Sequence, residues 1–262
     1  MDLSVQSSGK TADALSFHTV QSPALKGRAD LTLYCPPELE GRQDVPLVIL
    51  LHGVYGSHWA WALQGQAHKV LQWLIDEGQV SPYALAMPSD GLYEVGSGYV
   101  PHQQANYEHW IAKDVPATIR QLVPQVSEAS ELFIGGLSMG GYGAFRIGLR
   151  HPEFRAVSAH SSMTSLMQMH HFSQADWSEI QKRTEDISVQ EMLMSCAKIP
   201  PLRFDCGLSD LLLEYNRELH QWMLAQGIEH LYEEFDGGHE WDYWTRHLAD
   251  TLRFFQSHSA GT

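Results

Sequence analysis

Short apolar runs alternate along this chain with longer stretches in which apolar residues recur every three or four positions. The run Pro-Leu-Val-Ile-Leu-Leu at 46–51 is apolar on both faces, as expected of a strand buried between two helical layers. The first two runs instead alternate apolar and polar residues, which is typical of an edge hairpin. The pattern predicts eight strands, at Leu15–Val20, Leu31–Cys35, Pro46–Leu51, Tyr83–Met87, Glu131–Gly135, Ala156–His160, Leu202–Cys206 and Leu231–Phe235.

Helical periodicity fills most of the intervals between these strands. Strands that alternate with helices are the signature of a mostly parallel sheet covered on both faces. We therefore predict one α/β domain over residues 1–262, built on an eight-stranded sheet. The predicted helices lie at about Trp59–Glu77, Ala105–Leu122, Met139–Leu149, Leu211–Gln226 and Asp242–Phe255.

One interval, residues 161–199, is longer than an αβ connection requires. Long excursions in compact domains are commonly lids or binding loops, and methionine adapts its shape to its neighbours. The segment is therefore predicted to be an insertion or lid that forms an apolar wall over a pocket. The alternative is that its methionines pack extra helices onto the sheet. These methionines are Met163, Met167, Met169, Met192 and Met194.

The charge balance narrows the classes of partner. The chain carries 17 Lys and Arg against 31 Asp and Glu, a formal net charge of −14 with histidine neutral. Proteins that bind nucleic acid or anionic membranes usually present a basic stripe, and the longest basic run here is the pair Lys182-Arg183. We therefore expect neither nucleic acid nor a membrane as a partner.

Cysteine spacing and the N-terminal pattern bear on location. Cys35, Cys196 and Cys206 share no CxxC spacing, so neither a disulfide framework nor a zinc ribbon is expected. The first residues show no basic region followed by an apolar stretch, and no segment approaches about 18 uninterrupted apolar residues. We expect a cytoplasmic protein.

Candidate chemistry begins at Gly136-Leu-Ser138-Met-Gly140, directly after a predicted strand and directly before a predicted helix. This context is typical of a nucleophile elbow, in which a strand reverses sharply into a helix. The residue at the apex takes a strained backbone conformation, and glycines fit beside it because larger side chains would collide. Ser138 would then project its hydroxyl above the sheet, at a helix N-terminus that favours developing negative charge.

Serine is a poor nucleophile near neutral pH, so this hypothesis requires a histidine base and an acid that orients it. In this architecture the acid and then the histidine follow the serine along the chain, each on a loop after a strand. Asp210 and His239 occupy such positions. Asp205, within a predicted strand, and Asp236, shortly before His239, are the weaker alternatives for the acid.

Two backbone N–H groups are expected to bind the oxyanion. One belongs to the residue after the nucleophile, Met139, and the other to the loop that follows the strand at 46–51. In that loop Gly53 lets the backbone approach the substrate, and Val54 is the candidate donor. His52 is expected to brace the loop by hydrogen bonding rather than to transfer protons.

Abundant histidine requires that a metal site be considered. The segment that begins His239-Glu-Trp-Asp resembles the start of an HExxH zinc motif, but Tyr243 stands where the second ligand should be. The adjacent residues His170 and His171 would point to different faces of a regular element. We expect no metal and no other cofactor.

With these residues in place, the chain resembles the esterase D-like family of α/β-hydrolases from about Leu31 to Phe255. That family includes tributyrin-type, feruloyl and acetyl-xylan esterases, S-formylglutathione hydrolases and mycolyltransferases. The resemblance rests on Leu-Leu-His-Gly-Val-Tyr-Gly-Ser at 50–57, Gly-Leu-Ser-Met-Gly-Gly-Tyr-Gly-Ala at 136–144, Cys-Gly-Leu-Ser-Asp-Leu-Leu at 206–212 and Gly-Gly-His-Glu-Trp-Asp-Tyr-Trp at 237–244.

The resemblance implies an α/β-hydrolase fold with Ser138, Asp210 and His239 as the catalytic triad and with Val54 and Met139 as the oxyanion donors. It further implies a serine carboxylesterase that hydrolyses small acyl or aryl esters through an acyl-enzyme on Ser138. A small-molecule ester is thus the expected partner. Since members of this family often self-associate, a homo-oligomer is expected by analogy.

Other functions remain open. S-formylglutathione hydrolases usually have a Gly-Leu-Thr-Cys oxyanion loop and a histidine before the nucleophile, whereas this chain has Gly-Val-Tyr-Gly from Gly53 and has Leu137. Hydrolysis of thioesters of that type is therefore a secondary hypothesis. A further hypothesis is acyl transfer to an alcohol or sugar. Another is a binding module that keeps the fold but has lost catalytic activity.

The substrate pocket is the least defined part of the predicted site. Gly53, Tyr55, Trp59 and Met163 are the candidate substrate-binding residues. Alternatively, Trp59 and Trp61 are ordinary core residues of the helix that follows.

Overall fold

The computed structural model describes residues 2–174 and 176–260, and a single sheet crosses this part of the chain. Its strands are β1 (Ser4–Ser7), β2 (Leu15–Ser22), β3 (Gly27–Tyr34), β4 (Leu47–Leu51), β5 (Ala84–Pro88), β6 (Leu132–Leu137), β7 (Phe154–His160), β8 (Leu202–Gly207) and β9 (Leu231–Phe235).

The helices between and after these strands are mostly short. They are α1 (Ala60–Leu63), α2 (Ala67–Asp76), α3 (Tyr107–His109), α4 (Val115–Leu122), α5 (Met139–Arg150), α6 (Ser178–Arg183), α7 (Val189–Ser195), α8 (Leu213–Ala225) and α9 (Trp241–Ser257), with 3₁₀ turns at Pro37–Leu39 and Leu166–His171 and a π turn at Trp110–Asp114. Within the described residues, no helix has both the length and the apolar character needed to cross a membrane.

Strand order in the sheet is β1-β2-β3-β5-β4-β6-β7-β8-β9. The first three strands form antiparallel hairpins, and β3 joins β5 antiparallel. From β5 through β4 to β9 every pair is parallel, so the carboxyl ends of these strands meet at one edge. The predicted mostly parallel sheet with helices on both faces is confirmed.

The predicted number of eight strands is wrong, because β1 adds a ninth strand to the described sheet. Ser4–Ser7 pairs antiparallel with β2 at the outer edge, where three of its four residues are exposed. An exposed edge strand buries little apolar surface, so it lacks the alternation of apolar and polar residues that identifies a strand in a sequence.

Apolar residues on both faces of β4 explain its uninterrupted hydrophobic run. Leu47, Ile49 and Leu51 belong to the core cluster beneath α4, α5, α7 and α8. Val48 and Leu50 point the other way, into the cluster beneath α1, α2 and α9. Because successive side chains of a strand alternate between faces, a central strand covered by two helical layers has no position for a polar residue.

The predicted helix Trp59–Glu77 is two helices, α1 and α2, separated at Gly65 and Gln66. Gln66 has a φ of 46°, which breaks the right-handed helix. A Cβ on Gly65 would lie 2.8 Å from the Trp61 ring and 3.0 Å from the Trp241 ring, so the break brings this turn against both tryptophans. The predicted helix Ala105–Leu122 is likewise interrupted, by the π turn between α3 and α4.

Residues 161–199 contain a 3₁₀ turn and the short helices α6 and α7. Met163, Met169 and Met192 are buried in the main core cluster, whereas Met167 and Met194 are exposed. Three of the five methionines therefore pack into the core, and α7 packs against the helices α5 and α8. The assignment of the segment as an insertion or lid stays a prediction.

Candidate active site

Ser138 stands at the sharp turn between β6 and α5, with φ 55° and ψ −120°. A Cβ on Gly136 would lie 2.2 Å from the Gly140 carbonyl oxygen, and a Cβ on Gly140 would lie 2.4 Å from that of Leu51. These separations are far inside van der Waals contact, so only glycine fits at either position. The two glycines of the GxSxG sequence are thus required by the close backbone approaches of this turn.

Three predicted residues meet at the carboxyl edge of the sheet. His239 Nε2 lies 3.0 Å from Ser138 Oγ, and His239 Nδ1 lies 3.0 and 3.1 Å from the two carboxylate oxygens of Asp210. Since the carboxylate only accepts, Nδ1 carries the proton and Nε2 is free to accept one from the serine. The chain of hydrogen bonds runs from a buried acid to a nucleophile through a histidine whose side chain is 16% exposed.

The loops that carry the acid and the histidine contact each other directly. A Cβ on Gly207 would lie 2.5 Å from the Gly237 carbonyl oxygen, which in turn accepts a hydrogen bond from Ser209 N–H at 2.8 Å. Gly237 itself has a φ of 137°, a conformation that side chains disfavour. Close backbone packing after β8 and β9 therefore brings Asp210 to His239.

The environment of Asp210 keeps its carboxylate charged. Burial alone would raise its pKa, but the hydrogen bond from His239 and that from the Leu212 N–H, 2.8 Å from Oδ1, outweigh this effect. The pKa of Asp210 consequently lies below its usual value. A charged carboxylate can hold the imidazole and stabilise its protonated form.

Neither alternative acid makes the same contact. Asp205 is fully buried and accepts hydrogen bonds from His160 Nδ1 and from the Tyr243 hydroxyl, both at 2.8 Å. Asp236 is exposed on its loop. Of the three candidates, Asp210 is the one that the fold brings to His239.

The loop after β4 is braced by His52, as expected. Its Nδ1 lies 2.7 Å from the Gly53 carbonyl oxygen, and its Nε2 accepts the Asp90 backbone N–H at 3.0 Å. A Cβ on Gly53 would lie only 3.2 Å from the Ser138 Cβ. The glycine therefore lets this loop pass directly beside the serine.

The backbone around Val54 leaves one N–H group available. Tyr55 N–H donates to Val95 and Gly56 N–H donates to Gly53. Among residues 2–174 and 176–260, neither Val54 nor Met139 has a hydrogen-bond acceptor for its N–H. Met139 is the first residue of α5, where a helix has no internal acceptor to offer. Both predicted oxyanion N–H groups thus have no acceptor within the described residues. Met139 directly follows Ser138 in the sequence, and Val54 follows Gly53, which passes beside Ser138 in the fold.

A cavity of about 500 Å³ opens over Ser138 and His239. Of the predicted substrate-binding residues, Gly53, Tyr55 and Trp59 line it, together with Val54. The lining also contains residues that sequence reasoning did not assign to the pocket. These are Gly56, Ala60, Gln64, Leu137, Phe172, Glu240, Trp241 and Trp244.

Met163 does not line this cavity, contrary to expectation. Its side chain is fully buried in the main core, and its N–H donates to the Ser138 carbonyl oxygen at 3.1 Å. The chain after β7 turns beneath the nucleophile and only reaches the cavity later, at Phe172. Trp59 and Trp61 differ from each other, since Trp61 is buried and donates to the Leu51 carbonyl oxygen.

Aromatic rings surround the histidine. Phe172 stacks on His239 with ring centroids 5.7 Å apart, and Trp244 meets it edge-on at 4.9 Å. The Tyr55 hydroxyl donates to the Phe172 carbonyl oxygen, which links the loop after β4 to the segment 161–199. The tryptophans of the motif at 237–244 were the signal that could have identified part of this wall.

The lining of the cavity is mostly apolar and, in the described part of the chain, contains no Lys or Arg side chain. Glu240 is the one carboxylate that lines it. In the described ranges, no group of three or more His, Cys, Asp or Glu side chains is arranged to hold a metal ion. The arrangement is suited to a neutral ester and to chemistry performed by serine, histidine and backbone N–H groups.

Comparison with known proteins gives consistent matches. Residues 22–255 match the model of a family described as "Putative esterase". An acetyl esterase from Caldicellulosiruptor saccharolyticus is 24% identical over 233 residues, which cover 81% of this chain and 84% of that protein. An S-formylglutathione hydrolase from Paracoccus denitrificans is 27% identical over 173 residues, or 60% of this chain and 58% of its own. Among solved structures, a ferulic acid esterase aligns with a TM-score of 0.81 at 24% identity, over 98% of this chain and 100% of that one.

Proposed function

Because the chain belongs to this esterase family, we propose that it hydrolyses small carboxylic esters through an acyl-enzyme formed on Ser138. The observation that carries the proposal is the unbroken series of hydrogen bonds from Asp210 through His239 to Ser138, which ends at a cavity. A serine with no base beside it would have no means of activation near neutral pH.

In the proposed mechanism Ser138 Oγ attacks the ester carbonyl while His239 Nε2 takes the hydroxyl proton. Asp210 holds the imidazole and stabilises its cationic form. The negative charge that develops on the carbonyl oxygen is bound by the N–H groups of Val54 and Met139. His239 then protonates the leaving alcohol, and a water molecule activated by the same histidine releases the acid.

The lining of the cavity supports neutral short acyl or aryl esters as substrates. Trp59, Trp241, Trp244 and Phe172 provide apolar surface, and Glu240 would repel an anionic group. The net charge of −14 acts in the same direction over a longer range. Hydrolysis of S-formylglutathione is a second candidate, favoured by the match to a hydrolase of that name. Glutathione carries carboxylates, and the described lining offers them no Lys or Arg.

Replacement of Ser138 by alanine tests the proposal. We expect Ser138→Ala to lower kcat for p-nitrophenyl acetate by at least about a thousandfold, the scale of a lost nucleophile, and to leave thermal unfolding nearly unchanged. The matched control is Ser162→Ala, another buried serine close to the elbow, whose hydroxyl donates to the Met163 carbonyl. More than about 1% residual activity in Ser138→Ala would contradict the assignment of the nucleophile.

A series of p-nitrophenyl esters from acetate to decanoate, with methyl ferulate and S-formylglutathione, would define the substrate. We expect kcat/KM to be highest among the neutral short or aryl esters and lower for S-formylglutathione. We further propose a cytoplasmic location, which the free thiols of Cys35, Cys196 and Cys206 support, and self-association by analogy with the family.

A further inference from the structure

The cavity above Ser138 and His239 is walled largely by aromatic rings. Five of its lining residues are aromatic, and only three, Val54, Ala60 and Leu137, are aliphatic. An alkyl group needs only hydrocarbon around it, whereas an aromatic ring also presents a face of negative electrostatic potential. The wall is therefore chemically more specific than a hydrophobic pocket. Its aromatic members are Tyr55, Trp59, Phe172, Trp241 and Trp244.

Two of these rings, Trp59 and Trp241, are only half-buried, whereas Trp244 is buried. Trp241 is held at right angles by Trp61 and Trp244, with ring centroids 5.5 and 5.3 Å from its own. These contacts fix the Trp241 ring, which still lines the cavity. The cavity therefore has rigid indole surface that a bound group can reach. A cation within about 6 Å of an indole centroid is attracted to the face of that ring.

One carboxylate, that of Glu240, lies at the same cavity. Its Oε1 accepts the Gly238 N–H at 3.3 Å, but among the side chains that the structure describes no Lys or Arg forms an ion pair with it. Its charge is therefore uncompensated, and the net charge of −14 adds to the negative potential. Aromatic faces and an unpaired carboxylate around one cavity favour a cation and disfavour an anion.

We propose that the preferred substrates are esters of short alcohols that carry an ammonium group, which is held by Glu240 and by the faces of Trp59 and Trp241. The inference rests on the proposed function and deepens it, since it concerns what the leaving alcohol carries. His239 protonates the leaving oxygen, so the alcohol portion begins at His239, and Glu240 and Trp241 follow that residue directly in the chain. A neutral ester of the same size uses the same apolar walls but gains nothing from Glu240.

Acetylcholine and its uncharged carbon analogue, 3,3-dimethylbutyl acetate, test this proposal. The two esters have the same shape and differ in the charge of the alcohol portion. After correction for their rates of alkaline hydrolysis, we expect wild-type kcat/KM at low salt to be about tenfold higher for acetylcholine. The reason is that only its cation is attracted by the carboxylate and by the indole faces. Equal corrected values for the two esters would contradict the proposal.

Substitution of Glu240 isolates the carboxylate. Glu240→Gln removes the charge and keeps an oxygen that can accept the Gly238 N–H, and it should lower the kcat/KM ratio of acetylcholine to the analogue about fivefold. Trp59→Leu removes an indole face and keeps apolar bulk, so it should lower this ratio about twofold. The matched control is Asp242→Asn, which removes a charge from an exposed side chain that does not line the cavity. It should keep the wild-type ratio. An unchanged ratio in Glu240→Gln would overturn the proposal.

Binding without turnover separates this inference from the proposed function. In Ser138→Ala, titration calorimetry should show that acetylcholine binds about tenfold more tightly than the analogue, and Glu240→Gln in the same background should reduce that difference. If the wild type hydrolysed neither ester while Ser138→Ala showed this preference, the proposed function would fail and the cation site would stand. If the wild type hydrolysed both esters and neither rate nor binding favoured acetylcholine, only the cation site would be wrong. If the esters were neither hydrolysed nor bound, both would be wrong.

Discussion

Two aspartate–histidine pairs lie at the end of β8, and only one of them faces the cavity. In the first pair, His239 Nδ1 contacts Asp210 and Nε2 contacts Ser138 Oγ, each at 3.0 Å. In the second, His160 Nδ1 lies 2.8 Å from Asp205. The second histidine is only 1% exposed, and its Nε2 meets the Thr251 hydroxyl at 2.9 Å.

The difference between the pairs lies in what surrounds them rather than in the pairs themselves. Asp205 also binds the Arg203 guanidinium and the Tyr243 hydroxyl, so its charge is fully engaged in the core. His160 does meet a hydroxyl at its second nitrogen, but Thr251 is fully buried, so that hydroxyl is not open to a substrate. A hydrogen-bonded aspartate and histidine therefore do not by themselves identify a catalytic site. A nucleophile on the far nitrogen and an adjacent cavity are also required.

The largest expected effects come from matched substitutions of the two acids. Asp210→Asn should lower kcat about a thousandfold or more, because an amide at this position favours the wrong tautomer of His239. Asp205→Asn should leave the kcat of the folded protein within about threefold. It should lower the free energy of unfolding by about 3–5 kcal/mol, because the buried Arg203 then keeps only the partly exposed Glu233 as a charged partner. Steady-state rates and denaturant unfolding of both variants test this contrast, which a reversed result would refute.

A smaller expected effect is that activity and stability, which depend on different pairs, are lost at different pH values. Activity should fall reversibly at acid pH, because a protonated His239 cannot act as a base. Burial alone would raise the pKa of Asp205, but His160 and Arg203 hold it below its usual value. Its contribution to stability is therefore fully present above about pH 4 and is lost as the pH falls through that lowered pKa.

Glu108 is expected to stabilise the folded protein over the same pH range as Asp205. Burial would raise its pKa, but the hydrogen bond from His151 and the charge of Arg146 bring it to about 2. Its contribution is likewise lost only below the usual range for glutamate. We therefore expect the protein still to be folded at about pH 4, below the pH at which protonation of the catalytic histidine has abolished activity. Circular dichroism and rate assays over one pH series would measure both transitions, and unfolding that coincided with the loss of activity would contradict this separation.

The smallest expected effect is that of Tyr243→Phe, which removes one donor from Asp205 and keeps the ring that packs against Gly237. We expect the free energy of unfolding to fall by about 1–2 kcal/mol and kcat to change less than about twofold. A loss of kcat greater than about tenfold would mean that the second pair controls the loop of His239, and that the two pairs do not act independently.

Much of the fold was predictable because buried strands have a strong apolar pattern. The run that became β4 is apolar on both faces, and the structure places it at the centre of the sheet. The break between α1 and α2 was not predictable in this way, because Gln66 adopts a left-handed conformation within a region of helical periodicity. Such a break depends on tertiary packing of Gly65 against Trp61 and Trp241, which are far from each other in the sequence.

The candidate site likewise has parts that could be predicted from the sequence and parts that could not. Ser138, Asp210 and His239 could be proposed because each follows a strand in the chain order that the nucleophile elbow requires. Only part of the pocket wall could be assigned, since Phe172 reaches it only after the chain has turned beneath the nucleophile. The same turn places Met163 in the core rather than in the cavity, so its assignment to the pocket was wrong.

The most direct measurement of the central claim is active-site labelling with a fluorophosphonate probe, followed by peptide mapping. Such a probe reacts with a serine only where a base activates it. We predict one labelled residue, Ser138, with labelling strongly slowed in His239→Ala and retained in His160→Ala as long as that variant folds. Labelling of a different serine, or equal labelling of Ser138 when His239 is replaced, would contradict the assignment of Asp210, His239 and Ser138 as the catalytic residues.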